Sequence, residues 1–279
     1  MLLINTVSCK NLEMRKIDLT GKKALVTGGS KGIGSEICRE LAACGADIFI
    51  NYYSNKKSAE DLALEIQNEY KVKACVGGAD VSKADQVKAM FQDMDKQLGS
   101  IDILINNAGT ESVVHAFDME EEEWDRVINT NLKGPWLCAR EAGIRMEKQG
   151  GGVIINISSI HDTVPRKGLI HYCSAKAGLK MFSKCLALEL AESNIRVVSL
   201  APGAIETEMN REEINKFGRE KFNDWIPSGR IGNAKEVAQS VIFLASDMAS
   251  YINGADLYID GAYMNNTIHY DPRPPRKKT

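Results

Sequence analysis

The feature that most constrains the fold is an alternation of short apolar, β-branched runs with longer helical patterns along most of the chain. The strand candidates are 24–27, 47–50, 73–76, 103–105, 153–157, 196–200 and 256–259. Between them lie helix candidates at 33–44, 59–69, 83–97, 120–146, 172–191 and 234–245. Strand–helix alternation of this kind builds βαβ units, whose strands run parallel. Unbroken apolar strands such as VIINI at 153–157 suit a sheet covered on both faces. With right-handed crossovers, the expected class is α/β: a single-domain, doubly wound, Rossmann-type parallel sheet of about seven strands, flanked by helices on both faces.

The length of 279 residues accommodates one such domain. No linker rich in Pro, Gly or Ser divides the chain, and no repeat of fixed period appears. The expected boundaries are a disordered or extended segment at 1–15, the Rossmann-type domain at 16–263 and a tail at 264–279. Structured sequence begins near Lys16, which favours Met14 as the biological start. The region 206–226 is polar and helical in pattern yet carries Phe217, Phe222 and Trp225. Its place between a strand and a helix suits a lid over a site. The final DPRPPRKKT holds three prolines and builds neither helix nor strand. Its Arg273, Arg276, Lys277 and Lys278 read as a solvated tail. With His269 and Tyr270, the tail either covers a site, its own or a neighbour's, or is disordered.

The formal net charge of −2 gives no reason to expect a nucleic-acid partner. Seven cysteines, an odd number without C-x-x-C spacing, argue against a disulfide framework or a zinc site, and no metal is expected. Cys38, Cys44, Cys138, Cys173 and Cys185 fall in apolar or helical patterns and read as small core residues of a reduced, cytoplasmic protein. No apolar run approaches the roughly 20 residues of a membrane span. The N-terminus lacks the charged leader and long apolar stretch of a signal peptide.

The first strand, KALVT, runs into Gly28-Gly29-Ser30-Lys31-Gly32-Ile33-Gly34 and then a helix. Glycines let the backbone turn sharply and approach a pyrophosphate, while a helix N-terminus offers free N–H groups and a positive dipole end. The spacing is G-x-x-x-G-x-G rather than the commoner G-x-G-x-x-G. A plain structural turn is the alternative, but the position between first strand and helix favours a dinucleotide cofactor. The end of the second strand bears on which one. An acidic residue there would bind the ribose of NAD and repel a 2′-phosphate. This chain has Asn51, Tyr52 and Tyr53 instead, and Asp47 lies at the other end of the strand. With Lys31 in the glycine turn, these groups favour NADP(H), with NAD(H) as the alternative.

Tyr172 and Lys176 are spaced i, i+4 and share one helix face. Tyr52/Lys56 and Tyr53/Lys57 have the same spacing. Only Tyr172 opens a long amphipathic helix and follows a strand that ends in Ser158-Ser159. A free tyrosine titrates near ~10, too high for an efficient base at neutral pH. A nearby ammonium is expected to stabilise the phenolate and lower that value. Tyr172 could then take a proton from an alcohol or give one to a carbonyl, with Ser159 fixing the substrate oxygen. A surface Tyr–Lys pair is the alternative.

The ordered set TGGSKGIG, Asp80-Val81, NNAG at 106–109, Asn131 in NTNLKG, Ser159, Tyr172-x-x-x-Lys176 and Pro202-Gly203 in APGAIET resembles the short-chain dehydrogenase/reductases from about Leu19 to Ala262. The resemblance implies an NAD(P)-dependent oxidoreductase with Asn131, Ser159, Tyr172 and Lys176 as catalytic residues. It implies a cofactor site of Gly28, Ser30, Lys31, Gly32, Ile33, Gly34, Asn51, Tyr52, Tyr53, Asp80, Val81, Asn107, Ala108, Gly109, Tyr172, Lys176, Pro202, Gly203, Ile205 and Thr207. In it, Asp80 and Val81 would hold the adenine, and Ile205 and Thr207 the carboxamide. Asn131 would anchor a water relay to Lys176, which would also bind the nicotinamide ribose. A homotetramer, sometimes a dimer, is implied as well.

Within the family, NYYSN, Glu111 after NNAG, SSIH, HYCSAKAGLK and IPSGRIG are similar to stretches of the bacterial glucose 1-dehydrogenases. That likeness implies that Glu111 and His161, with Ser159 and Tyr172, meet a polyhydroxy substrate. For His161 a water-exposed loop position is the alternative, and His171 reads as structural. A sugar is thus the first expectation for the small-molecule alcohol or carbonyl. A hydroxysteroid and a 3-oxoacyl thioester are the alternatives, and a non-catalytic cofactor binder is a third class.

Overall fold

The computed structural model describes residues 17–207 and 211–266, without the side chains of Glu213 and Phe217. The strands are β1 (Lys23–Val26), β2 (Asp47–Tyr52), β3 (Ala74–Gly78), β4 (Ile103–Asn106), β5 (Gly152–Ile157), β6 (Ile195–Pro202), β7 (Ile205–Glu206), β8 (Gly232–Asn233) and β9 (Asp256–Ile259). Seven of them form one sheet in the order β3-β2-β1-β4-β5-β6-β9, and every pairing in it is parallel. The fold is the doubly wound α/β architecture expected from the alternation. The order reverses between β1 and β4, and a sheet of this type opens its binding crevice at that switch, outside the carboxyl ends of the strands.

Neighbouring residues of one strand feed opposite faces. Ala24, Val26, Ile48, Ile50, Ile103 and Ile105 enter one apolar cluster, while Leu25, Phe49 and Leu104 enter the other. The first cluster packs α1 (Gly32–Ala43) and α2 (Lys56–Tyr70). The second packs α3 (Ala84–Leu98). β3 runs on through Gly77 and Gly78, past the expected end at 76. A Cβ on Gly77 would lie 2.4 Å from the Phe49 ring, so the missing side chain is where that aromatic packs.

The helical stretch expected as one element over 120–146 is two: α4 (Glu121–Ile128) and α5 (Gly134–Gln149), joined by a π-helical segment at Asn129–Lys133. Pro135 supplies the reason. It has no N–H for the carbonyl four residues back, Asn131, and its ring crowds that carbonyl. The buried Asn131 side chain uses the widened turn, its Nδ2 donating to the carbonyl of Val127 at 2.9 Å. Wide turns of this kind are frequent at functional sites.

The remaining helices are α6 (Ile170–Leu190), α7 (Arg211–Phe217), α8 (Arg219–Trp225) and α9 (Ala234–Ala245). α9 packs on α1, and α6 lies against β6. Helices α7 and α8 fall within the region 206–226 expected as a lid, and the short parallel pair β7–β8 flanks it. There Ile214, Ile226 and Ile231 form a small third cluster with Ala204, Phe222 and Tyr263. The expected segment 1–15 and the tail from 267 onward lie outside the described residues.

Candidate active site

A cleft of ≈ 1250 Å³ opens at the carboxyl ends of the strands. At one end stands the glycine turn between β1 and α1. The side chain of Thr27 holds it: Oγ1 accepts from the N–H groups of Asn107 and Ala108, both at 3.0 Å. Asn107 Nδ2 donates in return to the carbonyls of Thr27 and Gly28, at 2.9 and 3.1 Å. The turn after β4 therefore fixes the turn after β1, across the switch point.

A cradle for a dinucleotide requires bare backbone and open amides. A Cβ on Gly34 would lie 2.4 Å from the Gly28 carbonyl oxygen and 2.6 Å from Asn107 Nδ2, so only glycine fits there. Lys31, at the N-cap of α1, is extended and gives no side-chain cap. First-turn amides have no partner within their own helix, and Gly32, Ile33 and Gly34 line the cleft. The residues present thus fit a pyrophosphate and the rest of a dinucleotide.

Gly28, Ser30, Lys31, Asn51, Tyr53, Asp80, Val81, Asn107, Ala108, Gly109, Pro202, Gly203, Ile205 and Thr207 all line the same cleft. Tyr52 is not among the residues that line it. One residue along β2, it lies on the opposite face and packs against the first apolar cluster. Asn51 is 1% exposed and its amide is engaged with the backbone. Its Oδ1 accepts from Gly28 N–H, and its Nδ2 donates to the carbonyls of Tyr52, Gly77 and Ala79, all at 3.2 Å. It shapes the turn rather than offering a free group to a ribose. Ser54, two residues past the end of β2, and Lys83 also line this end.

At the other end, Asn131, Ser159, Tyr172 and Lys176 line one wall with Glu111 and His161. β5 delivers Ser159, and the first turn of α6 delivers Tyr172. A buried relay sets α6 against the sheet: Asn106 Nδ2 donates to Asn156 Oδ1, and Asn156 Nδ2 to Ser183 Oγ, both at 2.8 Å. Lys176 is 5% exposed. Its Nζ donates to the Ile157 carbonyl at 2.8 Å and stands 5.5 Å from the centre of the Tyr172 ring.

The expected lowering of the Tyr172 pKa by Lys176 is not what this geometry gives. Burial, and after it the nearby Glu111 carboxylate, pushes the phenol above its ordinary value, against a hydrogen bond with Ser159. Burial likewise pulls Lys176 down to about 8, with Glu111 and Asp162 opposing. The ammonium is committed to a carbonyl, and burial shifts both groups of the pair towards their neutral forms while leaving Lys176 charged at neutral pH.

A polar frame behind the site was not visible in the sequence. Tyr172 N–H donates to His171 Nδ1 at 2.9 Å, so in the neutral ring Nε2 carries the hydrogen. Nε2 then donates to Ser112 Oγ at 2.9 Å, and the Ser112 hydroxyl donates to Glu123. Arg126 binds Glu123 with two N–H groups, at 2.8 and 2.7 Å, and also donates to Thr110 Oγ1. Asn131 Nδ2 donates to the Thr110 carbonyl at 2.7 Å. The frame closes around Glu111, fixing the residues on both sides of it. His171 is fully buried and structural in this geometry. Arg126, followed by Ser112, holds Glu123 down at about 2, and burial lowers His171.

His161 Nδ1 is 2.8 Å from the Val164 carbonyl. A carbonyl only accepts, so this nitrogen carries the hydrogen, and in the neutral ring Nε2 is an acceptor. The ring centre lies 6.4 Å from that of Tyr172. Ile214, Phe222, Trp225 and Tyr263 line the same cleft. Arg166 lines it too, without a signal in the sequence. Among the described residues, no group of three or more His, Cys, Asp and Glu side chains is placed to hold a metal ion, and no helix is long and apolar enough to cross a membrane.

The family model adh_short_C2, described as enoyl-(acyl carrier protein) reductase, matches residues 28–264. Glucose 1-dehydrogenase 2 of Bacillus subtilis (strain 168) is 38% identical over 248 residues, 88% of this chain and 95% of that protein. 3beta-hydroxysteroid dehydrogenase 1 of Eggerthella lenta is 39% identical over 246 residues, 88% of this chain and 94% of that one. The crystal structure of a gluconate 5-dehydrogenase from Burkholderia cenocepacia J2315, in complex with NADP and tartrate, is 33% identical. It superimposes with a TM-score of 0.84 over 89% of this chain and 97% of its own. With its sheet order, its glycine cradle and its Ser–Tyr–Lys wall, the chain belongs to the short-chain dehydrogenase/reductase family, an oxidoreductase family.

Proposed function

We propose that this enzyme interconverts a secondary alcohol and its carbonyl, a ketone or a sugar lactone, with NADP(H) as the preferred cofactor. The observation that carries the reading is the placement of Ser159, Tyr172 and Lys176 on one wall of the cleft that begins at the glycine cradle. A nicotinamide bound in the cleft supplies or accepts the hydride. Gly28 to Gly34 bind the pyrophosphate through backbone, and Asp80 and Val81 hold the adenine. Ile205 and Thr207 would orient the carboxamide, Lys176 would bind the nicotinamide ribose, and Asn131 would anchor a water relay to Lys176. Ser159 holds the substrate oxygen, and the Tyr172 hydroxyl gives it a proton on reduction or takes one on oxidation. With its pKa pushed up, Tyr172 is a neutral phenol in the free enzyme at neutral pH, which suits proton donation to a carbonyl.

A sugar or polyol is the substrate class favoured by Glu111 and by the acceptor Nε2 of His161, which offer two acceptors to hydroxyl groups. A hydroxysteroid is the second reading, favoured by the apolar wall of Ile214, Phe222 and Trp225. NADP(H) is favoured because Lys31, Ser54 and Lys83 line the cofactor end, while β2 ends without an acidic residue to repel a 2′-phosphate. One experiment tests both choices: rates for glucose, a 3-hydroxysteroid and a 3-oxoacyl thioester, each with NADP(H) and NAD(H), followed by nicotinamide absorbance. The expected result is turnover of glucose with at least a ~10-fold preference for NADP(H), about 1.4 kcal/mol of discrimination. A clear preference for NAD(H), or turnover of the steroid alone, overturns the corresponding choice.

We also propose a homotetramer in the cytoplasm, where thiols such as the six free cysteines of the described residues stay reduced. The expected contact surface is on α5 and α6, where Trp136, Ile144, Met181 and Leu188 are exposed. Apolar side chains clustered on a surface mark contact with a partner. Light scattering should give about four times the chain mass, and a monomer contradicts the assignment.

A further inference from the structure

Three residues beyond Ser159 in the chain, a carboxylate is shut away from solvent. The Asp162 side chain is 0% exposed. Its Oδ2 accepts from Ser158 Oγ at 2.9 Å. Its Oδ1 accepts from Thr163 Oγ1 at 2.8 Å and from the Tyr258 hydroxyl at 3.0 Å. Lys180 Nζ lies 3.7 Å from Oδ1 and donates to Thr163 Oγ1 and to the Tyr258 oxygen, at 2.8 and 2.7 Å. A buried carboxylate is costly unless hydrogen-bonded and paired, and the proposed chemistry makes no direct use of this one.

Its partners reveal its use. Ser158 and Asp162 are the two ends of the segment that carries Ser159 and His161, and the Asp162 side chain closes that segment on itself. Backbone contacts tighten it: Asp162 N–H donates to the Ser159 carbonyl at 2.9 Å, and His161 N–H to Ser159 Oγ at 3.2 Å. The cluster also reaches two other elements. Lys180 sits one turn after Lys176 on α6, and Tyr258 is on β9. One carboxylate therefore locks the Ser159 segment to the helix that carries Tyr172 and Lys176.

We propose that Asp162 is a positioning residue: bound by Ser158, Thr163, Tyr258 and Lys180, it sets the Ser159 hydroxyl and the His161 ring against Tyr172. This rests on the reading of Ser159 and Tyr172 given above. The lock acts on geometry, so its loss should lower kcat more than it raises KM, and should leave the distant glycine cradle intact.

The test compares Asp162→Asn and the milder Tyr258→Phe with the wild type in two ways. The first is hydrogen–deuterium exchange across 158–164, alongside the NADPH dissociation constant. The second is kcat and KM for whichever panel substrate the wild type turns over fastest. For Asp162→Asn the expected result is at least ~10-fold faster exchange confined to that segment. An NADPH dissociation constant within about 3-fold of wild type is expected with it, and a kcat lower by at least ~10-fold with KM little changed. Tyr258→Phe should move the same readouts in the same direction by less, and it carries the test alone if Asp162→Asn does not fold. Unchanged exchange, or unchanged kcat in a variant whose exchange is faster, overturns the proposal. If the wild type turns over no panel substrate, the substrate reading fails, and the exchange result still decides whether Asp162 is the lock.

Discussion

Replacing Lys176 by Met is expected to make the free protein more stable near neutral pH while lowering turnover by about 10²-fold or more. The stability side follows from linkage. Burial lowers the Lys176 pKa from 10.5 to about 8, so between those values the unfolded chain binds more protons than the folded one. Stability therefore rises with pH across that window. The contribution is complete above about pH 10.5 and is lost as pH falls through about 8, so at neutral pH the fold carries a buried cation at full cost. At 1.36 kcal/mol per unit, that cost is about 3 kcal/mol. Methionine removes it but leaves the Ile157 carbonyl without a donor that now sits at 2.8 Å, a loss of about 1–2 kcal/mol. The net expectation is a gain of about 1–2 kcal/mol near pH 7 that shrinks as pH rises towards about 9.5, where the wild type regains stability. Urea unfolding of both proteins at the two pH values measures it. A variant less stable at pH 7, or a difference that does not change with pH, contradicts the assignment of Lys176 as a desolvated cation. Such a residue fits a site that trades stability for activity.

How much of this was legible in the sequence depends on the range of the interaction involved. The strands were legible because apolar side chains recur with the period that buries both faces of a sheet, and Ala24, Leu25 and Val26 do divide between the two faces. The glycine cradle was legible because backbone shape there forbids any side chain, and only one residue type satisfies that. The break between α4 and α5 carried a local sign, Pro135, yet the apolar period runs through it. The π-helical turn is fixed by Asn131 reaching back to Val127 and across to Thr110, and the second of those contacts has no sequence period.

Other parts of the site depend on pairs far apart in the chain. Ser112 meets His171 at a separation of 59 residues, and Tyr258 meets Asp162 at 96. No spacing rule reaches that far. Adjacency groups Tyr52 with Asn51 and Tyr53, but alternation along β2 sends it to the opposite face. The sense of the Tyr172 shift was also out of reach. The i, i+4 spacing puts the ammonium near the phenol, but burial of both groups and the Ile157 carbonyl decide the outcome, and these are properties of the packed fold. Substrate choice is less legible still, because Arg166, Phe222, Trp225 and Tyr263 converge on the cleft from separate segments.

Replacing Tyr172 by Phe isolates the proton step assigned to its hydroxyl. The substitution removes one oxygen and leaves the ring, so the packing of α6 is kept. Tyr172 N–H still donates to His171, so the polar frame is kept as well. Removing a positioned proton donor is worth about 10²- to 10⁴-fold in rate, or about 3–5 kcal/mol of transition-state stabilisation. The measurement is kcat of Tyr172→Phe with NADP(H) and the fastest panel substrate, beside its NADPH dissociation constant. The expected kcat is lower by that factor, with the dissociation constant within about 3-fold of wild type. Turnover at the wild-type rate with normal NADPH binding would contradict that assignment.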